Sequence, residues 1–122
     1  MQLDQRFPAR LRLRKRPEFI RCKQMGRKIH TSHFLVYALE NDGDESRLGV
    51  TVSRRVGNAV VRNRVKRLVR EFFRSHKTRL PAGFDLSVIA RHRAGELDQK
   101  AVCRELGVLL KTERLKGRRN GC

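Results

Sequence analysis

The chain has 122 residues, with 30 Lys plus Arg against 12 Asp plus Glu and a formal charge of +18 at neutral pH. Its length fits one domain, large enough to bury about two-thirds of its unfolded surface without a disulfide or metal staple. No apolar run reaches the ~18 residues needed to cross a bilayer, no signal-peptide pattern opens the chain, and Cys22, Cys103 and Cys122 lack disulfide-framework or zinc-site spacing. A cytoplasmic protein with no membrane or small-molecule partner is expected. Self-repulsion on this scale calls for a polyanion, nucleic acid first. The charge is also sorted: residues 1–28 hold ten basic and two acidic side chains and residues 54–79 hold ten and one, whereas 84–113 hold five of each. Two surfaces are basic and the rest is balanced.

Residues 1–15 read as a basic, mobile arm. At Pro17 a helix can begin, with Glu18 complementing its dipole and Gly26 stopping it. The run 33–39, His-Phe-Leu-Val-Tyr-Ala-Leu, is apolar on both parities and reads as a buried strand. Asn41-Asp42-Gly43-Asp44 is a turn, and 47–53 alternates as a half-buried strand, most simply hairpinned to the first. Asn58 can cap the longest helix, which is expected to run to about Leu80, before Pro81-Ala82-Gly83. A third strand follows over 84–91, then a helix capped by Asp98 with Val102, Leu106, Leu109 and Leu110 on one side; residues 116–122 read as a disordered basic tail. The order helix, two strands, helix, strand, helix gives a single-domain α+β sandwich over residues 1–115.

The long helix carries most of the chemistry. At about 100° per residue, Val61, Val65, Leu68, Val69, Phe72 and Phe73 share one arc, and Arg62, Arg64, Lys66, Arg67, Arg70, Arg74 and Lys77 occupy the opposite one with Asn63 in its middle. Arg62, Lys66, Arg70 and Arg74 form an i, i+4 ladder of like charge, each step destabilising by ~0.2–0.5 kcal/mol. An ordinary solvated face mixes signs and avoids that penalty. Arginine outnumbers lysine, and guanidinium forks bind phosphates bidentately. Arg54 and Arg55 extend the same surface ahead of the helix N-terminus, where free N–H groups favour an anion.

The run from Arg47 through Ser53-Arg54-Arg55-Val56-Gly57-Asn58 to Arg62-Asn63-Arg64 and Glu71 resembles the signature of the bacterial ribonuclease P protein family. The resemblance extends over most of the chain, including Phe19 and the Phe-Leu-Val-Tyr-Ala-Leu strand. It implies an α-β-β-α-β-α fold with a small mixed sheet and a left-handed crossover through the motif helix, against the usual right-handed preference. It also implies a protein subunit of ribonuclease P that binds the catalytic RNA subunit and the 5′ leader of precursor tRNA, and assists endonucleolytic leader removal. RNA-subunit contacts would fall to Arg54, Arg55, Arg62, Asn63, Arg64, Lys66, Arg67 and Arg70. A leader cleft would involve Phe19, Lys23, Tyr37 and Arg47. From residue type alone Phe19 and Tyr37 read as core; the resemblance makes Tyr37 a stacking platform and leaves Phe19 between the two roles. Some members carry a second aromatic where Lys23 stands, so a phosphate contact replaces a stacking one here.

The sequence shows no catalytic constellation: no clustered carboxylates for a two-metal nuclease and no nucleophile–base pair. His30 and His33 lack further ligands at metal-site spacing. The resemblance implies that the RNA subunit holds the Mg2+ ions and performs the cleavage. A ribosomal or ribosome-associated RNA-binding protein is the alternative that size and charge allow.

Overall fold

The structure is a computed structural model that describes residues 9–76 and 78–110. Residues 1–8 of the expected mobile arm, the basic tail and Lys77 lie outside the described residues. Three helices, α1 (Arg16–Met25), α2 (Ala59–Ser75) and α3 (Gln99–Leu106), pack on a four-stranded mixed sheet of β1 (Arg27–His30), β2 (Phe34–Glu40), β3 (Arg47–Val52) and β4 (Phe84–Ala90). The fold is a single α+β domain, as the sequence order implies, with no described helix long and apolar enough to cross a membrane.

Sheet order is β1-β2-β4-β3, with β2 antiparallel to β4 and β3 parallel to β4. The expected hairpin between the strands at 34–40 and 47–52 therefore does not form. The loop between them instead clasps the start of β4. The Asn41 N–H donates to Gly83 O (2.8 Å) and its Nδ2 to Asp85 Oδ1 (2.9 Å), while Ser46 Oγ donates to Pro81 O (2.7 Å) and accepts from the Phe84 N–H (3.0 Å). These contacts hold β2 and β3 apart, so that β4, buried on both faces from Phe84 to Val88, fills the centre. The strand β1 has no counterpart among the expected elements. Ile29 is its one buried residue, too little for a visible alternation.

The two faces of the sheet are covered unequally. On one, Val36, Leu48, Val52, Leu86 and Val88 meet Val65, Val69 and Phe72 of α2 and Val102 and Leu106 of α3 in the main core. On the other, α1 seats Cys22 against Tyr37 and Leu13, with Phe19, Leu35, Leu39 and Ile89 partly buried around them. Residues 9–13 are not a free arm. Leu11 and Leu13 are buried, one in each core, and the Leu13 N–H donates to Leu48 O (2.9 Å), laying this segment along the outer edge of β3.

Local signals set the helix ends. Asn58 Oδ1 accepts from the Val61 N–H (3.0 Å) and Asp98 Oδ1 from the Ala101 N–H (2.9 Å), both as expected. The helix α2 ends at Ser75 rather than near Leu80. The His76 ring stacks on Phe72, and the His76 carbonyl accepts the N–H groups of Arg79 and Leu80, turning the chain toward Pro81.

A carboxylate fastens α3 to the β1–β2 turn: Glu105 accepts from Thr31 Oγ1 and the His33 N–H and meets His33 Nδ1 at 2.9 Å. Burial pushes the Glu105 pKa up, but these hydrogen bonds outweigh it and hold the group below its ordinary value. A lowered folded pKa means stability present above the unfolded value, roughly pH 4.3, and lost as pH falls through the folded one. Glu105→Gln is therefore expected to lower the melting temperature at pH 7 and to narrow its gap from wild type below about pH 4. Scanning calorimetry across pH checks this, and a gap that stays constant as the pH is lowered through the acid range would refute it.

Candidate nucleic-acid interface

The outer side of α2 is the first candidate surface. Asn63 and Arg67 stand exposed at its crest; Arg62, Lys66 and Arg70 line one flank, half-buried, and Arg64 lies on the other. Arg54 and Arg55 stand exposed in the turn before the helix. Among the described residues none of these cations meets a carboxylate; Glu71, the sole acid of α2, is held by Arg74 and Ser75 at the far end. The Arg74 hydrogen bond is the main reason its carboxyl stays below the ordinary range. Burial, then the neighbouring Arg12 charge, lowers the Arg70 pKa, although a guanidinium keeps its proton at neutral pH. The Nε of Arg62 is buried with no acceptor among the described residues, an omission that ordinarily costs about 1–3 kcal/mol.

Arg64 differs from its neighbours. Its Nη1 donates to Gly95 O (3.2 Å) and its Nη2 to Leu97 O (2.6 Å), tying α2 to the turn before α3. Two of its five N–H donors are thus committed within the protein.

The second surface is a trough between α1 and the sheet. Phe19 approaches the backbone of β3 so closely that a Cβ on Gly49 would lie 2.4 Å from its ring. The ring is half-buried, between the core and platform roles open to it, and Lys23 stands exposed one turn further along α1. Tyr37 is 7% exposed, packed with Leu13 and Cys22, so it supports the trough floor and offers no open ring face for stacking. Arg47 is also engaged within the chain. Its Nε and Nη2 bind Asp85 bidentately (2.9 and 2.8 Å), and its Nη1 reaches Glu18 (3.0 Å), so it holds α1, β3 and β4 together beneath the trough. Glu18 also accepts the N–H groups of Arg14 and Lys15 at the start of α1. Burial opposes its charge, and these donors outweigh burial and keep its pKa low. Burial, with the Asp85 charge, pushes the Cys22 thiol up to about 11, leaving it inert at neutral pH.

Past α1 no described element covers the sheet face. Leu35 and Ile89 are half-buried there and Thr51 is exposed, with His30 and Arg91 exposed at the rim. Arg91 continues the alternation of Asp85, Ser87 and Ile89, so its side is readable from the sequence although it is not among the expected site residues. Arg12 is a second addition. The pair Leu11 and Leu13 inside a basic run is the sign of a docked segment.

The family model of Ribonuclease P matches residues 7–114. The chain belongs to the ribonuclease P protein family. The ribonuclease P protein component of Desulfovibrio desulfuricans is 50% identical over 109 residues, which is 86% of this chain and 84% of that one. The corresponding protein of Syntrophus aciditrophicus is 48% identical over 102 residues, 84% and 86% of the two chains. Among solved structures, the RNase P protein from Thermotoga maritima matches with a TM-score of 0.76 at 40% identity, covering 83% of this chain and 96% of that one. The Staphylococcus aureus RNase P protein matches with a TM-score of 0.78 at 35% identity, covering 86% and 96%.

A member of this family is the protein part of an endoribonuclease that works in tRNA processing, which sets the ribosomal alternative aside. Among the described residues no three His, Cys, Asp or Glu side chains gather as metal ligands. Glu18 and Asp85, the acids nearest the trough, are already occupied by Arg47.

The Arg47 junction gives a stability prediction. Arg47→Ala leaves Asp85, 4% exposed, as a buried carboxylate without its cation, and is expected to cost about 3 kcal/mol or more. Urea unfolding measures it; Asp85→Asn in the same background is expected to recover part of the loss. A cost below about 1 kcal/mol, the scale of an exposed pair, would contradict the assigned role.

Proposed function

We propose that this chain docks on the catalytic RNA subunit of ribonuclease P through the outer side of α2 and receives the single-stranded 5′ leader of precursor tRNA in the trough beside α1. The observation that carries the reading is the set of cations on α2 that meet no carboxylate among the described residues, with Arg67 beside Asn63 at the crest and Arg62, Lys66 and Arg70 on the flank. A phosphate backbone relieves their mutual repulsion and supplies the missing acceptors. Asn63, an amide amid cations, adds a contact that charge neutralisation alone would not require. Arg54 and Arg55 extend this surface past the helix N-terminus. In the trough, the accessible part of Phe19 offers a face to an unpaired base, and Lys23 meets an adjacent phosphate. Tyr37 and Arg47 act from below, one packing the floor and the other holding α1 in place.

The Mg2+ ions belong to the RNA subunit in this reading. The protein contributes by screening repulsion between two polyanions and by gripping the substrate upstream of the cleavage site. Cleavage by the RNA alone is therefore expected to need more magnesium than cleavage with this protein present. Initial rates across a magnesium titration check it, and identical titrations would sink the reading.

The two arginines of the Arg62-Asn63-Arg64 motif are expected to separate experimentally from each other. Arg62→Ala and Arg67→Ala are each expected to reduce the log–log salt slope of RNA-subunit affinity by ~0.7–0.9 per lost phosphate contact, with little change in melting temperature. Arg64→Ala is expected to lower the melting temperature, because it releases Gly95 O and Leu97 O. Anisotropy titrations in graded salt, paired with thermal melts, measure both. A slope unchanged in Arg67→Ala would remove α2 from the interface.

A further inference from the structure

We propose that Arg12 and Arg70 together form a seat for one RNA phosphate group, at the seam where the N-terminal segment runs along the outer edge of β3 beside α2. The inference rests on the docking role of α2 and extends it to a residue outside the 47–71 run.

The backbone at Arg12 is fixed. It bridges Leu48 in parallel, flanked by the buried Leu11 and Leu13, and the Arg12 N–H donates to Ala9 O (3.1 Å). The side chain is thus delivered to one place, half-buried at the sheet edge. Its Nε is withdrawn from solvent and has no acceptor among the described residues. Arg70 is half-buried on α2 one turn before Phe73, and Phe73 lines one cavity with Leu11 and Leu48, the residues beside Arg12, so the Arg12 charge bears on it. Two guanidinium groups therefore face one seam.

Among the described residues, the acids closest to this seam in the fold are engaged elsewhere. Glu18 is taken by Arg47 and two backbone N–H groups, Glu71 by Arg74, and Glu45 by Arg10. A pair of converging cations with a buried, unused N–H and no internal counter-ion among the described residues fits a ligand with several acceptor oxygens and a negative charge. A phosphodiester has both, and two guanidinium forks can bind its two free oxygens. Arg62, whose Nε is also buried without an acceptor, lies two turns earlier on the same flank. The seat therefore continues the α2 ladder onto the sheet edge, toward the trough whose wall includes Leu13.

The phosphate can come from the catalytic RNA or from the precursor tRNA, and two assays separate these sources. In the first, the full-length protein binds the catalytic RNA in graded salt. Arg12→Gln and Arg70→Gln are each expected to lower the log–log slope by ~0.7–0.9, and the double variant by no more than either alone, because both side chains hold one phosphate. In the second, the assembled holoenzyme binds precursor tRNA and mature tRNA. A loss confined to the precursor assigns the phosphate to the leader; a loss in the first assay assigns it to the catalytic RNA. Arg12→Lys keeps the charge and the aliphatic stem and is expected to retain the slope, which distinguishes a lost contact from a lost fold. Wild-type behaviour of Arg12→Gln in both assays would overturn the seat, as would additive losses in the double variant. Should Arg67→Ala also leave the first slope unchanged, the docking role of α2 fails as well; should it lower the slope, only the seat does.

Discussion

Burial of one stripe on α2 makes the rest of the molecule possible. Val65, Leu68, Val69, Phe72 and Phe73 are buried against β3, β4 and α3, and each contributes roughly 1.5–3 kcal/mol when removed from water. Each like-charge step from Arg62 to Lys66 to Arg70 opposes the helix by only ~0.2–0.5 kcal/mol. The apolar term exceeds the repulsion severalfold, even after allowance for a compact unfolded chain. A helix can therefore carry uncompensated cations on its outer side without losing its place on the sheet. Without that margin the basic surface would unfold the protein that presents it.

The acidic residues are distributed on the same logic. Glu18 and Asp85 close on Arg47, Glu71 on Arg74, Glu96 on Arg93, and Glu105 on Thr31 and His33. Each joins elements of this chain or neutralises a cation remote from the crest of α2. The excess positive charge is consequently concentrated by subtraction, where no carboxylate of the described residues reaches. Arg47, which the resemblance implies for the leader cleft, also has a structural role, because its guanidinium binds a carboxylate that is 4% exposed. Its partner Asp85 is pinned a second time by Asn41, so the loop that separates β2 from β3 and the junction that seats α1 share one side chain.

Features encoded by neighbouring residues are legible in the amino-acid order itself. The amphipathic arc of α2, its Asn58 cap, the Asp98 cap of α3 and the β2 and β3 runs all follow from local spacing, and the fold reproduces them. Strand pairing is not legible, because the contacts that place β4 between β2 and β3 join Asn41 and Ser46 to residues about forty positions later. The same distance hides the Arg47–Asp85 pair and the carbonyl anchors of Arg64. Tyr37 is buried, as its residue type alone suggests, but the residue that covers it, Leu13, belongs to a segment whose charges mask two buried leucines. The 47–71 resemblance identifies the family where local physics gives only a basic α+β domain, and the match over residues 7–114 bears it out.

The strand β3 explains why two candidate surfaces on opposite faces of one sheet belong together. Leu48 and Val52 face the α2 core, while Gly49 lies beneath Phe19 and Arg47 grips Asp85 and Glu18 on the α1 side. One six-residue strand thus supports the basic helix with one parity and the trough with the other. A register slip of a single residue would exchange those parities, driving a leucine into Phe19 and withdrawing Arg47 from Asp85. The parallel pairing with β4 and the Leu13 bond on the outer edge fix the register from both sides. The basic face of α2 and the floor of the trough are therefore set by one alignment and have no independent freedom to shift. The coupling between the two surfaces resides in the backbone of an edge strand.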